Sequence, residues 1–264
     1  ILKLDPGEDY KAVGRQDNFD ELLLIAKNNV GYQNLLKLAS SSYLNNSKGN
    51  EHIKIAQLEE LREGLIVLTS GVKGTVGRLI LTNRKKEAES FLLKLNDIFK
   101  DHLYIELMRH GLEDENVIER KFIEFGLKNN IPFVATNDVY FLDAKMHRAH
   151  EILLCIADGK YIHSDDRRKS TPHHYFKSAE EMRKLFSDIP EAIENSIVIA
   201  RRCSVKAEQR EIAFPQYKTS RAQTAEEELR ILAEEGLKSR LDKVYEHDDE
   251  LRKKEEKVYW DRLN

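Results

Sequence analysis

The chain has 264 residues, of which 41% are hydrophobic and 34% are charged. This balance is typical of a folded protein with a heavily charged surface, and it excludes a disordered chain. The net charge of −3 gives no indication of nucleic-acid binding, so any contact with DNA needs a local basic patch.

The cysteine count narrows the class of protein further. Cys155 and Cys203 are the two cysteines, too few for a disulfide framework or a four-cysteine zinc site. Cys155 lies in an apolar run, which predicts a buried free thiol and suits a reducing cytoplasm. No stretch approaches the roughly 20 apolar residues of a membrane span, and no signal peptide is visible. The residues at both ends indicate a segment cut from a longer chain.

The first predicted elements lie before residue 65. Residues 21–28 form a short apolar run, and Leu35, Leu36 and Leu38 then recur at helical spacing. A short helix ends at Gly64, which we expect to cap it in the left-handed conformation.

Strands and helices alternate regularly in the middle of the chain. Apolar runs at 65–71, 104–108 and 131–139 predict strands, and amphipathic stretches at 84–99 and 114–129 predict helices between them. This order predicts βαβ units and therefore a parallel sheet with right-handed crossovers. Function in such folds lies at the carboxyl ends of the strands. The ends so indicated are residues 69–71, 109–111 and 137–140.

The last third of the chain is more polar. A basic loop over 158–176 is followed by two predicted helices, the first with Ser178 and Glu181 in a capping box and the second at 191–203. A linker-like stretch at 214–224 leads to helices of mixed charge, which predict a solvated surface.

His110 and Asp138 are the first candidates for chemistry. Each lies where a predicted strand meets its loop, and together they could ligate a divalent metal that holds a hydrolytic water. A catalytic site usually needs three or more ligands. The alternative is structural, with Asp138 capping a turn and His110 bonded to the backbone.

Two histidine pairs also have the residue type of metal ligands. His173 and His174 lie in a polar loop, where a surface position is favoured over a metal site. His147 and His150 lie three residues apart on a predicted helix, but no third ligand accompanies them. Packing or capping is therefore the favoured interpretation of this pair.

A basic cluster at Arg167, Arg168 and Lys169 fits a phosphate backbone, although solvent-exposed basic loops are common. The glycine-bearing segment at 70–75 follows a strand but does not match a P-loop or a dinucleotide-binding fingerprint. Spacing alone therefore predicts a parallel α/β region with a weak hydrolase-type site.

Six segments, in the same order, resemble the N-terminal part of the bacterial DNA polymerase III α subunit family. They are residues 31–44 (GYQNLLKLASSSYL), 63–80, 104–111 (YIELMRHG), 131–142 (IPFVATNDVYFL), 149–159 (AHEILLCIADG) and 176–205. The resemblance implies an α/β fold, a PHP-type distorted (β/α) barrel that is incomplete at its N-terminus, over residues 1–205. It also implies a linker and the beginning of the polymerase palm region, with α-helical segments, over 206–264.

The resemblance places two metal ligands of an intact PHP site at His110 and Asp138. Such sites hold metals through His, Asp, Glu and Cys and give phosphoesterase or proofreading activity. Three other ligand positions depart from the family pattern: Glu21 and Tyr140 each stand where the family has His, and Gly71 or Val72 stands where it has Cys. Tyrosine is a poor ligand unless ionised, and its reference pKa is about 10. The metal site is therefore expected to be vestigial.

The function so implied is that of a non-catalytic PHP scaffold within the catalytic subunit of the replicative DNA polymerase. It would support DNA synthesis and dock the proofreading exonuclease, and the holoenzyme would add the sliding clamp and DNA. The polymerase's Mg²⁺-binding aspartates lie beyond the region that resembles this chain. The alternative is a metal-dependent PHP phosphoesterase or 3′–5′ exonuclease that holds Zn²⁺ or Mn²⁺ through His110, Asp138 and Glu21.

Overall fold

The computed structural model describes residues 1–11, 19–207, 214, 215 and 217–263. The chain forms two compact units, Ile1–Ala207 and Glu208–Asn264. Part of the predicted N-terminal polar segment (12–18) and of the predicted linker region (208–213 and Gln216) lies outside the described residues. The assignment of the two regions to a PHP domain and a palm region stays a prediction.

In the ranges that the structure describes, the first unit is an α/β structure built on one six-stranded sheet. Its strands are β1 (Leu2–Asp5), β2 (Asp20–Ala26), β3 (Ile53–Lys54), β4 (Leu65–Leu68), β5 (Leu103–Leu107) and β6 (Phe133–Ala135). Its α-helices are α1 (Asn29–Leu44), α2 (Ile55–Glu60), α3 (Thr75–Leu81), α4 (Lys85–Phe99), α5 (Glu113–Asn129), α6 (His147–Asp158), α7 (Ala179–Leu185) and α8 (Pro190–Arg202). The strands and helices predicted between residues 65 and 203 are confirmed to within a few residues.

The sheet is mixed, with the strand order β3-β1-β2-β4-β5-β6. β4, β5 and β6 are parallel as predicted, but β2 runs antiparallel to both β1 and β4. The prediction of a wholly parallel sheet is therefore wrong for β2, which lies between β1 and β4. The burial pattern gives the physical reason: every residue of β4 and β5 is buried, as in parallel strands covered on both faces, whereas buried and half-buried residues alternate along β2.

Helices cover both faces of the parallel strands. On one face, Phe91 and Leu92 of α4 and Phe122 of α5 join the main core cluster with the strand residues Val67 and Ile105. On the other face, α8 supplies a smaller cluster centred on buried Ile199. Asn195 of α8 also donates a hydrogen bond to the carbonyl of Phe133 at 2.8 Å. The two layers hold the strand ends at fixed positions.

Gly64 has a different role from the predicted one. α2 ends at Glu60, and Gly64, with φ +74°, lies in the turn that leads into β4. A Cβ on Gly64 would lie 2.8 Å from the Cα of Gly31. Close approach to the first turn of α1, in addition to the left-handed backbone, is therefore what requires glycine there.

Helix α6 turns a carboxylate inward and apolar side chains outward. Glu151 and Cys155 are buried, whereas Leu153 and Ile156 are exposed. Glu151 is bonded to Arg167 and to both the amide and the hydroxyl of Ser170. The predicted buried free thiol at Cys155 is confirmed, and Glu151 anchors the loop that follows α6.

The described residues of the second unit contain two helices, α9 (Ala225–Val244) and α10 (Asp249–Leu263). Thr224 and Glu227 form a capping box at the start of α9. Arg252 of α10 donates to Asp242 of α9 at 2.6 Å, so the two helices pair through charges. Across both units, the described residues include no helix with the length and apolarity of a membrane span.

Candidate functional site at the ends of the parallel strands

A cavity of about 360 Å³ lies where β4, β5 and β6 end. All three strand ends singled out from the sequence contribute to it, through Ser70, His110 and Asp138. Its other polar lining residues are Glu21, Lys73, Glu106, Glu115, Thr136, Asn137, Tyr140, Lys169 and His174. The structure thus brings together His110, Asp138 and Glu21, which the sequence singled out as candidate metal ligands.

His110 is buried and has partners on both ring nitrogens. Nδ1 lies 2.7 Å from a carboxylate oxygen of Glu115, and the backbone amide of His110 donates to the other oxygen at 2.6 Å. Burial opposes ionisation of Glu115, but these bonds outweigh it and lower the pKa of its carboxyl. Nε2 accepts from the backbone amide of Asp138 at 3.1 Å and also lies 3.1 Å from the side-chain oxygen of Asn137.

The side chain of Asp138 belongs to a cluster with Lys73 and Tyr140. One carboxylate oxygen accepts from the Tyr140 hydroxyl at 2.8 Å and from the Lys73 ammonium at 3.3 Å. Burial opposes the charge of Asp138, yet Tyr140 and Lys73 together lower the pKa of its carboxyl. Burial and the bond to Asp138 raise the pKa of Tyr140. At neutral pH the cluster is therefore an ion pair with a neutral phenol.

His174 lies inside the site, and its predicted surface position is wrong. Its ring stacks between His110 and Tyr140, with centroid distances of 4.1 and 4.5 Å. Nδ1 of His174 is 2.9 Å from the carbonyl oxygen of Asp138, and burial lowers the pKa of His174. The loop folds back over the strand ends because the amide of Tyr140 donates to the carbonyl of His174 at 2.9 Å. His173 is exposed, as predicted.

Glu106 is a site residue that sequence reasoning missed. It is the fourth of the five residues of β5 and is 1% exposed. One of its carboxylate oxygens accepts from the Thr136 hydroxyl at 2.8 Å, and the other has no hydrogen-bond partner in the described part of the chain. Burial raises the pKa of Glu106. The available signal was a carboxylate within an otherwise apolar strand.

The histidine pair on α6 contacts the following loop. Nε2 of His147 lies 3.0 Å from the carbonyl oxygen of Ser170, and Nδ1 of His150 lies 3.3 Å from its hydroxyl. The packing interpretation of this pair accounts for both contacts. These contacts, like those of Glu151, hold the loop that carries His174.

The basic cluster is largely paired with carboxylates. Arg167 contacts Glu151, and Arg168 binds Asp158 through two bonds of 2.6 and 2.7 Å. Lys169 lines the cavity. A DNA contact through this cluster stays a prediction.

A catalytic metal ion usually needs three or more donor side chains that converge on one position. No group of three or more His, Cys, Asp or Glu side chains suited to a metal occurs among residues that the structure describes. Nε2 of His110 is committed to the amide of Asp138, and the Asp138 carboxylate already faces the Lys73 ammonium. A divalent cation would have to displace both, so the residues as arranged do not fit one. The predicted metal role of His110 and Asp138 remains a prediction.

Comparisons with known proteins assign the class. Residues 7–110 match the PHP domain family, so the chain carries a PHP domain. It is 41% identical over 244 residues to the DNA polymerase III subunit alpha of Caulobacter vibrioides, covering 92% of this chain and 21% of that protein. The same subunit of Rickettsia bellii is 43% identical over 226 residues (85% and 19%), and that of Vibrio cholerae is 38% identical over 249 residues (94% and 21%).

Over most of its length the chain is thus similar to bacterial DNA polymerase III alpha subunits, as the recognised sequence segments implied. It spans about a fifth of the length of the curated relatives it matches.

Proposed function

We propose that this chain serves as the PHP scaffold of a bacterial replicative DNA polymerase and that its strand-end site is structural and non-catalytic. The observation that carries the proposal is the Lys73 ammonium on the Asp138 carboxylate. In a metal-binding PHP site, cationic charge at the strand ends would come from the ions. Here a side chain of the protein supplies it.

The chemistry of the cluster supports a structural role. Lys73 follows β4 and Asp138 follows β6, so their ion pair links two strand ends across β5. His110 and Glu115 add a second link, from the end of β5 to the start of α5. An ammonium has no vacant coordination position and cannot lower the pKa of a bound water as a divalent metal does. This cation can therefore hold the strand ends together but cannot activate a nucleophile.

The relationship to the polymerase subunits supports the remaining roles. The whole polypeptide would synthesise DNA with Mg²⁺ held by aspartates outside this chain, in the bacterial cytoplasm. Its partners would be the proofreading exonuclease, the sliding clamp and DNA. The PHP unit would supply a rigid surface for the exonuclease subunit. Binding of that purified subunit to this chain, measured by calorimetry, tests the docking role separately from the chemistry of the site.

The experiment that tests the structural site combines metal analysis with an activity assay. The chain is equilibrated with Zn²⁺ or Mn²⁺, freed of unbound metal and assayed for metal content. It is also assayed for hydrolysis of bis(p-nitrophenyl) phosphate with Mn²⁺ present. We expect less than one tenth of an equivalent of metal and no hydrolysis above that of Asp138→Asn. Stoichiometric metal together with hydrolysis that Asp138→Asn abolishes would refute the proposal.

The metal-dependent phosphoesterase is the second candidate, and one observation favours it. Glu106, with an unpartnered carboxylate oxygen, and Glu21 line the same cavity as His110 and Asp138. If Lys73 moved away, these side chains would form an acidic group with one imidazole. Lys73→Ala tests this candidate. The phosphoesterase would be favoured if the variant takes up metal and hydrolyses the substrate, and if the unaltered chain hydrolyses it as well.

A further inference from the structure

A second group of basic side chains lies at the other end of the strands from the cavity, where β4 and β5 begin. β2 is antiparallel to β4, and its last residue, Ala26, pairs with the first residue of β4, Leu65. Lys27 therefore lies where β4 begins. His102 immediately precedes β5, and Arg202 is the last residue of α8. These three half-buried residues, Lys27, His102 and Arg202, are called the basal cluster here.

The lysine and the arginine of the basal cluster are held by neutral groups. The Lys27 ammonium lies 2.7 Å from Nε2 of His102. One guanidinium nitrogen of Arg202 donates to the carbonyl of Asp101 at 2.8 Å and to the hydroxyl of buried Tyr104 at 2.7 Å. The Arg202 guanidinium is thus positioned before any ligand arrives, and its other N–H groups remain available among the described contacts.

The charges of these cations are not balanced by ion pairs. Neither Lys27 nor Arg202 forms a salt bridge with a carboxylate in the described ranges of the chain. Burial lowers the pKa of His102, and the charges of Lys27 and Arg202 lower it further. The exposed carboxylate of Asp101 acts in the opposite direction but more weakly. The cluster is therefore a partly desolvated region of positive potential, and an anion is the complement it lacks.

We propose that the basal cluster binds a phosphate group. An arginine supplies a planar set of donors that matches phosphate oxygens, and a lysine supplies a point charge. His102 would add a third donor once the anion draws the Lys27 ammonium off Nε2 and favours the protonated ring. The shared ligand chemistry is a phosphate, either free or in a nucleic-acid backbone. The cluster and the cavity lie at opposite ends of the strands, so this inference does not depend on the proposed function.

The test follows the His102 ring by NMR while inorganic phosphate is added at constant ionic strength, with chloride as the balancing ion. His102→Gln assigns the signal. We expect a saturable shift and a higher apparent pKa of His102 in phosphate. Lys27→Gln and Arg202→Gln should each weaken binding at least tenfold. Lys86→Gln removes one exposed lysine of α4 and should leave binding unchanged. Arg202→Lys retains the charge, so it serves as the control if Arg202→Gln fails to fold.

A second arm separates the two sources of phosphate. A 20-base-pair DNA duplex is titrated by fluorescence anisotropy at several salt concentrations. Duplex binding that weakens in Lys27→Gln but not in Lys86→Gln supports a nucleic-acid backbone, and its salt dependence should become shallower in the variant. A phosphate response without duplex binding supports a free phosphate or phosphorylated metabolite. Absence of both responses, or equal responses in Lys27→Gln and Lys86→Gln, overturns the proposal.

Discussion

The ammonium nitrogen of Lys73 lies 3.3 Å from a carboxylate oxygen of Asp138, and both groups contact the hydroxyl of Tyr140. Lys73 comes from the turn after β4, whereas Asp138 and Tyr140 follow β6. A side chain on the first strand end thus neutralises a carboxylate two strands away. The titration of Tyr140 reports on this arrangement directly.

Asp138→Asn and Lys73→Met should move the pKa of Tyr140 in opposite directions. Burial and the Asp138 charge raise that pKa, while Lys73 lowers it. We expect the pKa to decrease in Asp138→Asn and to increase in Lys73→Met. Tyrosine Cζ shifts measured by NMR between pH 8 and 12 check both. Shifts of the same sign in the two variants would contradict the three-residue cluster.

The bond between Glu115 and His110 should make stability depend on acid pH. The folded-state pKa of Glu115 lies below its ordinary value of 4.5. Its contribution is therefore present above that value and is lost as the pH falls through the folded-state pKa. We expect Glu115→Gln to lower the free energy of unfolding by about 2 kcal/mol at pH 7 and by less at pH 3.5.

Urea denaturation at the two pH values measures this loss, and Glu124→Gln is the matched control. Glu124 pairs with Lys121 on the exposed side of the same helix. Its loss should change stability by less than about 0.5 kcal/mol. Equal effects of the two substitutions at pH 7 would show that the buried bond to His110 contributes nothing specific.

Glu106 should give the opposite pH dependence. Burial raises its pKa above the ordinary value of 4.5. The stability it contributes is fully present below the unfolded pKa and is lost as the pH rises through the folded-state pKa. We expect Glu106→Gln to gain stability relative to the unaltered chain as the pH rises above about 5. Parallel stability profiles of the two proteins would refute the raised pKa.

Gly64→Ala and Gly49→Ala form a matched pair, because both glycines have positive φ. An added Cβ meets nothing within 4 Å at Gly49, but at Gly64 it would lie 2.8 Å from the Cα of Gly31. We expect a loss of about 1 kcal/mol at Gly49 and at least about 3 kcal/mol at Gly64, where α1 must also move. Thermal unfolding of the two variants checks the difference, and similar losses would contradict the close packing of the two glycines.

Particular residues show how far sequence reasoning reached into the site. His110 and Asp138 were selected because each follows a predicted parallel strand, and such strand ends meet at one edge of a sheet. The structural alternative for His110, a bond to the backbone, describes the hydrogen bond that Nε2 accepts from the amide of Asp138. Lys73 and His174 carried no comparable signal, because their positions depend on how two loops fold over the strand ends.

The sequence by itself determined β4, β5, β6, the helices α4 to α8, the buried thiol at Cys155 and the resemblance to the polymerase III α subunits, because periodicity and motif order are local properties of the chain. The short helix α3, which follows the glycine-bearing turn after β4, was not predicted. The tertiary structure decided the direction of β2, the inward position of His174 and the pairing of Lys73 with Asp138. Each of these depends on residues far apart in sequence: Lys73 and Asp138 are separated by 65 positions. Side-chain periodicity reports which face of an element is buried, but it does not report which charged groups meet when the loops close.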